Sequence, residues 1–257
     1  MLIYLAAASL VPLFGLLFVS LQRYWSSQIT RDSFTFDVLI ALFTGESLTK
    51  KALQNSIVLG IVGATLSMLI ATMLMLYVRQ SRGIFPSIVD LTVKAPSAIS
   101  HTVVGLALVI ALSGQPFFLA GTMTILLIAY MLIYMPQAAV STGSGLDQIS
   151  EELLEASSVS GATQARTFFR VTLPLMRPAL TAGWALLFVL MVGDLTASAL
   201  LATNANPVVG FVIYDIYSNA TYSSLAAIAC VVGAISFFVV CLVLAFSRGG
   251  ATGQASQ

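Results

Sequence analysis

The stretch APSAISHTVVGLALVIALSGQPFFLAGTMTILLIAYMLIYMPQAAVSTGSGL, residues 95–146, decides the fold, because its 52 positions hold no Asp, Glu, Lys or Arg. A helix crosses the hydrocarbon core of a bilayer with about 20 apolar residues, so this stretch is long enough for two crossings. Gly114, Gln115 and Pro116 interrupt it. That turn chemistry folds its halves into an antiparallel hairpin. Outward from the hairpin the same pattern recurs: residues 1–22, 52–78, 178–193, 195–214 and 216–247 are also free of charge. The expected spans are Leu2 to Leu21, Leu53 to Val78, Ile99 to Ser113, Phe117 to Met135, Ala179 to Leu201 and Leu225 to Phe246. The first run lacks a basic n-region and stays apolar to Leu21, so it reads as a retained span and not as a signal peptide. The fold class is an all-α polytopic membrane protein with six transmembrane helices.

Composition agrees with this. Of the 257 residues 58% are hydrophobic and 8% charged, against about 25% charged in an ordinary soluble domain. No polar stretch is long enough for a soluble domain, which takes at least about 50 residues. The net charge of +1 gives no basic stripe for nucleic acid. Cys230 and Cys241 stand roughly 16 Å apart along a helix, beyond disulfide reach, and read as two small apolar residues.

Lys and Arg placement sets the orientation. With the N-terminus inside, the cytoplasmic side collects Arg79, Arg82, Lys94, Arg166, Arg170, Arg177 and Arg248, and the outside receives Arg23, Arg31, Lys50 and Lys51. The loop from Ala202 to Ser224 carries neither Lys nor Arg. Aromatic residues fall at the expected interfaces: Tyr24 and Trp25, Tyr77, Tyr130 and Tyr134, Tyr217 and Tyr222. Both termini are expected in the cytoplasm.

Between the fourth and fifth spans, Gln137 to Arg177 is too polar and too long for a mere connector. LDQISEELLEAS, residues 146–157, reads as an amphipathic helix capped by Asp147 or Ser150, with acids in its first turns. Ile149, Leu153 and Leu154 give it an apolar face. Gly161 ends it as a C′ residue able to take positive φ. A second short helix is expected from about Thr163 to Thr172, with Arg166 and Arg170 on one face beside Phe168 and Phe169, and Pro174 and Pro178 ending it. Two short cytoplasmic helices hinged at a glycine suit docking on another protein. The bland reading is a solvated run of charges.

Glu155-Ala156-Ser157, three residues, Gly161, nine residues, then Val171-Thr172-Leu173-Pro174 resembles the EAA motif of permease subunits in binding-protein-dependent (type I) ABC importers. That pattern is Glu-Ala-Ala, three residues, Gly, nine residues, Ile, any residue, Leu, Pro. Every spacing matches; Ser157 replaces Ala and Val171 replaces Ile. The resemblance covers roughly Leu53 to Phe246, with the first span as an extra helix. It implies a first helix and external loop over 1–52, a permease core over 53–246 with its EAA loop at 147–177, and a disordered cytoplasmic tail over 247–257. The loop would be a coupling helix seated on a cytoplasmic ABC ATPase dimer, with Gly161 permitting the bend and Glu155 serving as interface or intraloop charge partner. Arg166 and Arg170 belong to the same coupling loop. A second permease half, a periplasmic binding protein and a bacterial inner-membrane location are implied too. The chain itself is then not an enzyme and binds no cofactor or metal. Lys50, Lys51 and Lys94 are its only lysines and none follows Gly, so a P-loop is missing and ATP sits on the partner.

Asp194 stands sixteen residues after Pro178, about 24 Å along a helix and deep in the fifth span. Intramembrane acids usually face a cavity or bundle interior, which makes Asp194 a translocation-pathway candidate, against a structural hydrogen-bonded acid. Gly193 to Leu201 resembles the acid-Leu-Ser/Pro-Ala-Ser/Thr segment of ferric-iron-type permeases, which makes ferric iron the expected cargo. Polyamine, thiamine and phosphonate permeases share the background. His101, the single histidine, opens the third span where family members often show Pro-Gly, and reads as an interface residue. Gly60, Gly63, Ala64, Ala179 and Gly183 mark close helix packing. Asn219-Ala220-Thr221 matches a glycosylation sequon without meaning in a bacterial setting.

Two other classes compete. A rhomboid-type protease could use Gly143-Ser144-Gly145, but His101 precedes the serine, and the serine is expected in a loop. The other is a six-span secondary transporter or channel working without ATP; only the EAA loop argues against it, and co-purification with an ATPase discriminates the two.

Overall fold

The computed structural model describes residues 2–22, 34–44, 48–219 and 221–252. Arg23, Tyr24, Trp25 and Arg31, used above for orientation, lie outside them, as do Ala220 of the sequon and residues 253–257. The helices in chain order are α1 (Leu2–Ser20), α2 (Asp37–Thr44), α3 (Leu48–Gln80), α4 (Ile84–Lys94), α5 (His101–Leu112) and α6 (Met123–Asp147). They continue as α7 (Glu151–Val159), α8 (Gln164–Thr167), α9 (Leu173–Val192), α10 (Thr196–Leu201), α11 (Val209–Ser218) and α12 (Tyr222–Thr252). Among the described residues four helices are long and apolar enough to cross a membrane: Leu48–Gln80, Met123–Asp147, Gln164–Val192 and Tyr222–Ala245. A fifth crossing exists if Ile84–Ala98 and His101–Leu112, bent by 106°, count as one. α1 is a further apolar helix of 19 residues.

Three expected spans are corrected. The third, Ile99 to Ser113, is a 12-residue helix, about 18 Å long and too short to cross alone. It follows α4 and a 3-10 turn at Ala95–Ala98 that holds Pro96, and the bend falls where Ile99 is extended. The fourth was expected at Phe117 to Met135, but α6 begins at Met123 and runs to Asp147. Residues 114–122 form the hairpin turn instead: Phe117 and Phe118 both donate to the Gly114 carbonyl, and Gly121 has φ 68°. At its other end α6 continues through Ser141 to Gly145, small residues of which Ser141 and Gly145 pack closely against α9. Ser144 is therefore helical, not in a loop.

The fifth span was expected from Ala179 to Leu201, with Pro174 and Pro178 ending a separate short helix. Instead the helical path is unbroken from Gln164 to Val192. Proline at 174 lacks an N–H and its ring clashes with the carbonyl four residues back. A π turn at Phe168–Thr172 accommodates it, with Leu173 N–H reaching back to the Phe168 carbonyl. The helix then stops before Asp194, because that side chain competes for backbone N–H groups, as described below.

The residues group into two compact units by their internal contacts. The first comprises Met1–Leu59, Gly105–Leu126 and Val192–Phe237. Its core holds Leu42, Leu53, Val209, Val212, Ala227 and Ile228. One face of α3 secures the irregular stretch after α10: Lys51 Nζ donates to the Ala205 carbonyl at 2.6 Å and Asn55 Nδ2 to that of Pro207 at 2.8 Å. Ser56 Oγ accepts the Val209 N–H at 2.8 Å. Such bonds let non-helical backbone persist in an apolar protein, where unmet carbonyls are costly.

The second unit comprises Gly60–Val104, Leu127–Met191 and Phe238–Gln257. Small residues bring α6 and α9 together, as expected of Ala179 and Gly183. A Cβ at Gly183 would lie 2.6 Å from Ser141 Cβ, and one at Gly145 would lie 2.8 Å from Ala179 Cβ. Gly63 packs in the same way on Met191, and Ala64 is fully buried. Trp184 stacks on Phe188 and donates Nε1 to Thr65 Oγ1 at 3.0 Å. Tyr130 and Tyr134 are buried among the helices of this unit. Half-buried His101 meets the Tyr134 ring edge to face, with centroids 5.6 Å apart. Tyr77, Tyr217 and Tyr222 are exposed, as interface anchors require. Cys230 and Cys241 are free, and α12 continues to Thr252, into the expected tail.

Candidate functional site

The segment after α6 forms a helical elbow within the second unit. Ser150, extended at φ −66° and ψ 145°, precedes α7 and puts Glu151 and Glu152 in the first turn, where the helix dipole favours acids. At the other end Ala162 N–H donates to the Ser157 carbonyl at 3.2 Å and Gly161 N–H to that of Ser158 at 2.9 Å. This paired closure needs a left-handed residue at C′, and Gly161 supplies it with φ 74°. Thr163 then caps α8 by accepting Arg166 N–H, and the two arms are joined by Ser157 Oγ and Thr167 Oγ1 at 2.8 Å. Ser157, a departure from the motif, thus has a defined partner. Val171, Leu173 and Pro174 are half-buried, in and just after the π turn.

The apolar face of α7 differs from expectation. Ile149 is buried and Leu154 packs with it against Leu146 and Met176. Leu153 is 49% exposed and Val159 87% exposed. Residues 153, 156 and 159 recur every three positions and share the outward side, with exposed Ala156 between its two larger neighbours. The inward side, Glu151, Leu154, Glu155 and Ser158, lines an open cleft of about 400 Å³ together with Arg79. Glu155 makes no ion pair among the described residues. Arg166, Arg170 and Phe169 are exposed on the second arm.

Arg79, which the sequence assigns only to membrane orientation, has a defined place in this unit. Its guanidinium donates to the carbonyl of Leu146 and, at 2.7 Å, to that of Ile149. A basic residue in the last turn of a long apolar helix was the available signal.

Asp194 belongs to the first unit, in the break between α9 and α10. It is 5% exposed, and Oδ2 accepts Ala197 N–H at 2.9 Å and Ser198 N–H at 3.1 Å. Ser198 Oγ donates to the Asp194 carbonyl, against which Gly210 packs so closely that a Cβ there would overlap it. The carboxylate thus sits as the cap of α10. The elbow residues come together in one unit, and Asp194 is not among them.

Residues 56–249 match the model of a protein family described as "Binding-protein-dependent transport system inner membrane component". Over 173 residues, 67% of this chain, the sequence is 26% identical to the Fe(3+)-transport system permease protein FbpB 2 of Haemophilus influenzae, and it spans 34% of that protein's length. Over 248 residues it is 27% identical to the sulfate transport system permease protein CysT of Salmonella typhimurium, covering 93% of this chain and 87% of the relative. Among solved structures, a chain of the bacterial alginate ABC transporter, crystallised in complex with an alginate pentasaccharide-bound periplasmic protein, superposes with a TM-score of 0.78. That match is 18% identical and covers 96% of this chain and 91% of that one. At that identity the likeness shows the fold.

Proposed function

Because the chain belongs to the family of binding-protein-dependent transport system inner membrane components, we propose that it forms half of the translocation pathway of an ATP-driven importer. The elbow over 147–177 supports this reading most: it is a short helix, α7, closed by a glycine onto the start of the long helical path Gln164–Val192, with an apolar outward side on α7 and exposed arginines on the second arm. A cytoplasmic ABC ATPase dimer docks on it and supplies the ATP site, since no lysine of this chain follows a glycine. One chain offers one elbow, so a second permease half, identical or homologous, serves the other ATPase. A periplasmic binding protein delivers the solute. Both termini face the cytoplasm; in support, Arg79, Arg82, Lys94, Arg166, Arg170 and Arg177 fall in the unit that carries the elbow, and Lys50 and Lys51 in the other.

Ferric iron is the proposed cargo, supported by the segment Gly193 to Leu201 and by the iron-named relative. An oxyanion such as sulfate is the second reading, favoured by the relative matched over nearly its whole length. The chain is expected to co-purify with its ATPase, and its deletion to abolish uptake of one labelled solute. Uptake that persists after loss of the ATPase would identify an ATP-independent transporter. Loss of sulfate uptake with iron uptake intact would reverse the order of the two cargoes.

Asp194 serves the pathway through the break that its carboxylate caps. Asp194→Asn keeps an acceptor at the cap, whereas Asp194→Ala removes it and should cost about 1–2 kcal/mol. Thermal unfolding in detergent is expected to show a lower midpoint for Ala and little change for Asn, with uptake following the same order. Uptake lost in a fully stable Asn variant would assign the negative charge itself to the pathway.

A further inference from the structure

We propose that Arg79 is a positioning residue of the coupling step, an inference that rests on the importer reading above. Its two acceptors, the carbonyls of Leu146 and Ile149, lie 67 and 70 residues away in sequence, one in the last turn of α6 and the other in the three-residue link 148–150 that leads to α7. The last carbonyls of a helix lack partners within it, and a cation at that end is doubly favoured, by hydrogen bonding and by the dipole. The guanidinium suits the position because its donors are held in a rigid fork and can take two carbonyls at once. One side chain thus joins the end of α3 to the end of α6 and the entry to α7.

Beneath the fork, Met75 and Leu76 of α3 pack on Leu146, Ile149 and Met176. That apolar contact is non-directional, so it holds the surfaces together without fixing their register. The fork fixes it. Displacement of α7 by a docked partner is therefore passed to α3 through Arg79, a connection separate from the continuous path by which α8 passes into α9. Arg82, three residues further on and past the end of α3, also lines the cleft and is exposed, which makes it the matched control.

The test uses the complete transporter, with its ATPase and binding protein, in liposomes. Arg79→Met is expected to assemble and hydrolyse ATP while solute moved per ATP falls at least about tenfold, the effect of losing charge-assisted bonds. Arg79→Lys, with one compact charge, recovers part of it, and Arg82→Met stays within about twofold. Hydrogen exchange at 147–152 rises in Arg79→Met and not in Arg82→Met, whatever the transport result. Transport per ATP within twofold of wild type in Arg79→Met, or unchanged exchange at 147–152, would overturn the proposal. Failure of both Arg79 variants to assemble would overturn it too, by assigning the residue to folding alone. A wild-type complex without ATP-dependent uptake would sink the importer reading instead.

Discussion

With valine at position 161, ATP-driven uptake is expected to fall at least about tenfold while the chain still inserts into the membrane. Gly161 has φ 74°, a region that costs other L-residues about 1–2 kcal/mol and β-branched ones more. Apart from the glycine and its immediate chain neighbours, no atom lies within 4 Å of the place a Cβ would occupy. Steric room is therefore not the obstacle, and the penalty comes from the backbone alone. Relief of that strain rotates the residue out of the left-handed region, which breaks the closure of Ala162 on Ser157 and of Gly161 on Ser158 and pulls Ser157 away from Thr167. The two arms of the elbow then lose their fixed angle, and ATPase movement is no longer delivered to the spans. Backbone preference predicts a graded series: Asn, which tolerates this region, should stay near wild type, Ala should be intermediate and Val worst. Uptake and ATP hydrolysis measured side by side in proteoliposomes, with membrane-fraction content as the insertion control, read the series directly. A valine variant with unchanged uptake would show that the bend does not couple the two parts.

The series depends on a feature legible in the sequence, since a glycine separated by nine residues from Val171-Thr172-Leu173-Pro174 is locally determined. Long apolar runs were legible for the same reason, and α3 and α12 contain the runs expected of them. The ends of the other spans were not. Hydropathy marks where a chain can meet lipid, whereas a helix ends where its backbone hydrogen bonds end. Ser141 to Gly145 looked like a loop and are helical because their small side chains let α9 approach. Pro174 looked like a terminator and is absorbed by the π turn. Asp194 looked like a charge inside a helix, and its own affinity for backbone N–H groups ends that helix and starts another. The inward side of α7 could not be read either. Leu153 and Leu154 are adjacent and equally apolar, and which of them faces the protein is decided by Leu146, Met176 and Arg79, contacts made across long stretches of chain.

That assignment carries the second large effect. Leu153→Glu combined with Val159→Glu should reduce ATPase co-purification by at least about a hundredfold, because each exposed apolar group contributes about 1.5–3 kcal/mol when covered and each new carboxylate must be stripped of water on docking. Neither substitution touches the core of the unit, so thermal unfolding of the permease should shift little. Leu154→Glu is the converse case. Its side chain packs against Leu146, Ile149 and Met176, so a carboxylate there would lower the unfolding midpoint and detach the elbow from α3 before any partner is added. Affinity isolation of each variant, with the ATPase-to-permease ratio and the melting temperature read on the same sample, separates the two outcomes. The docked side of α7 is thereby tested apart from the strength of docking: if the ATPase is retained by Leu153→Glu with Val159→Glu and lost from a Leu154→Glu variant of unchanged stability, the partner seats in the cleft between α7 and the end of α3, and the outward stripe faces solvent.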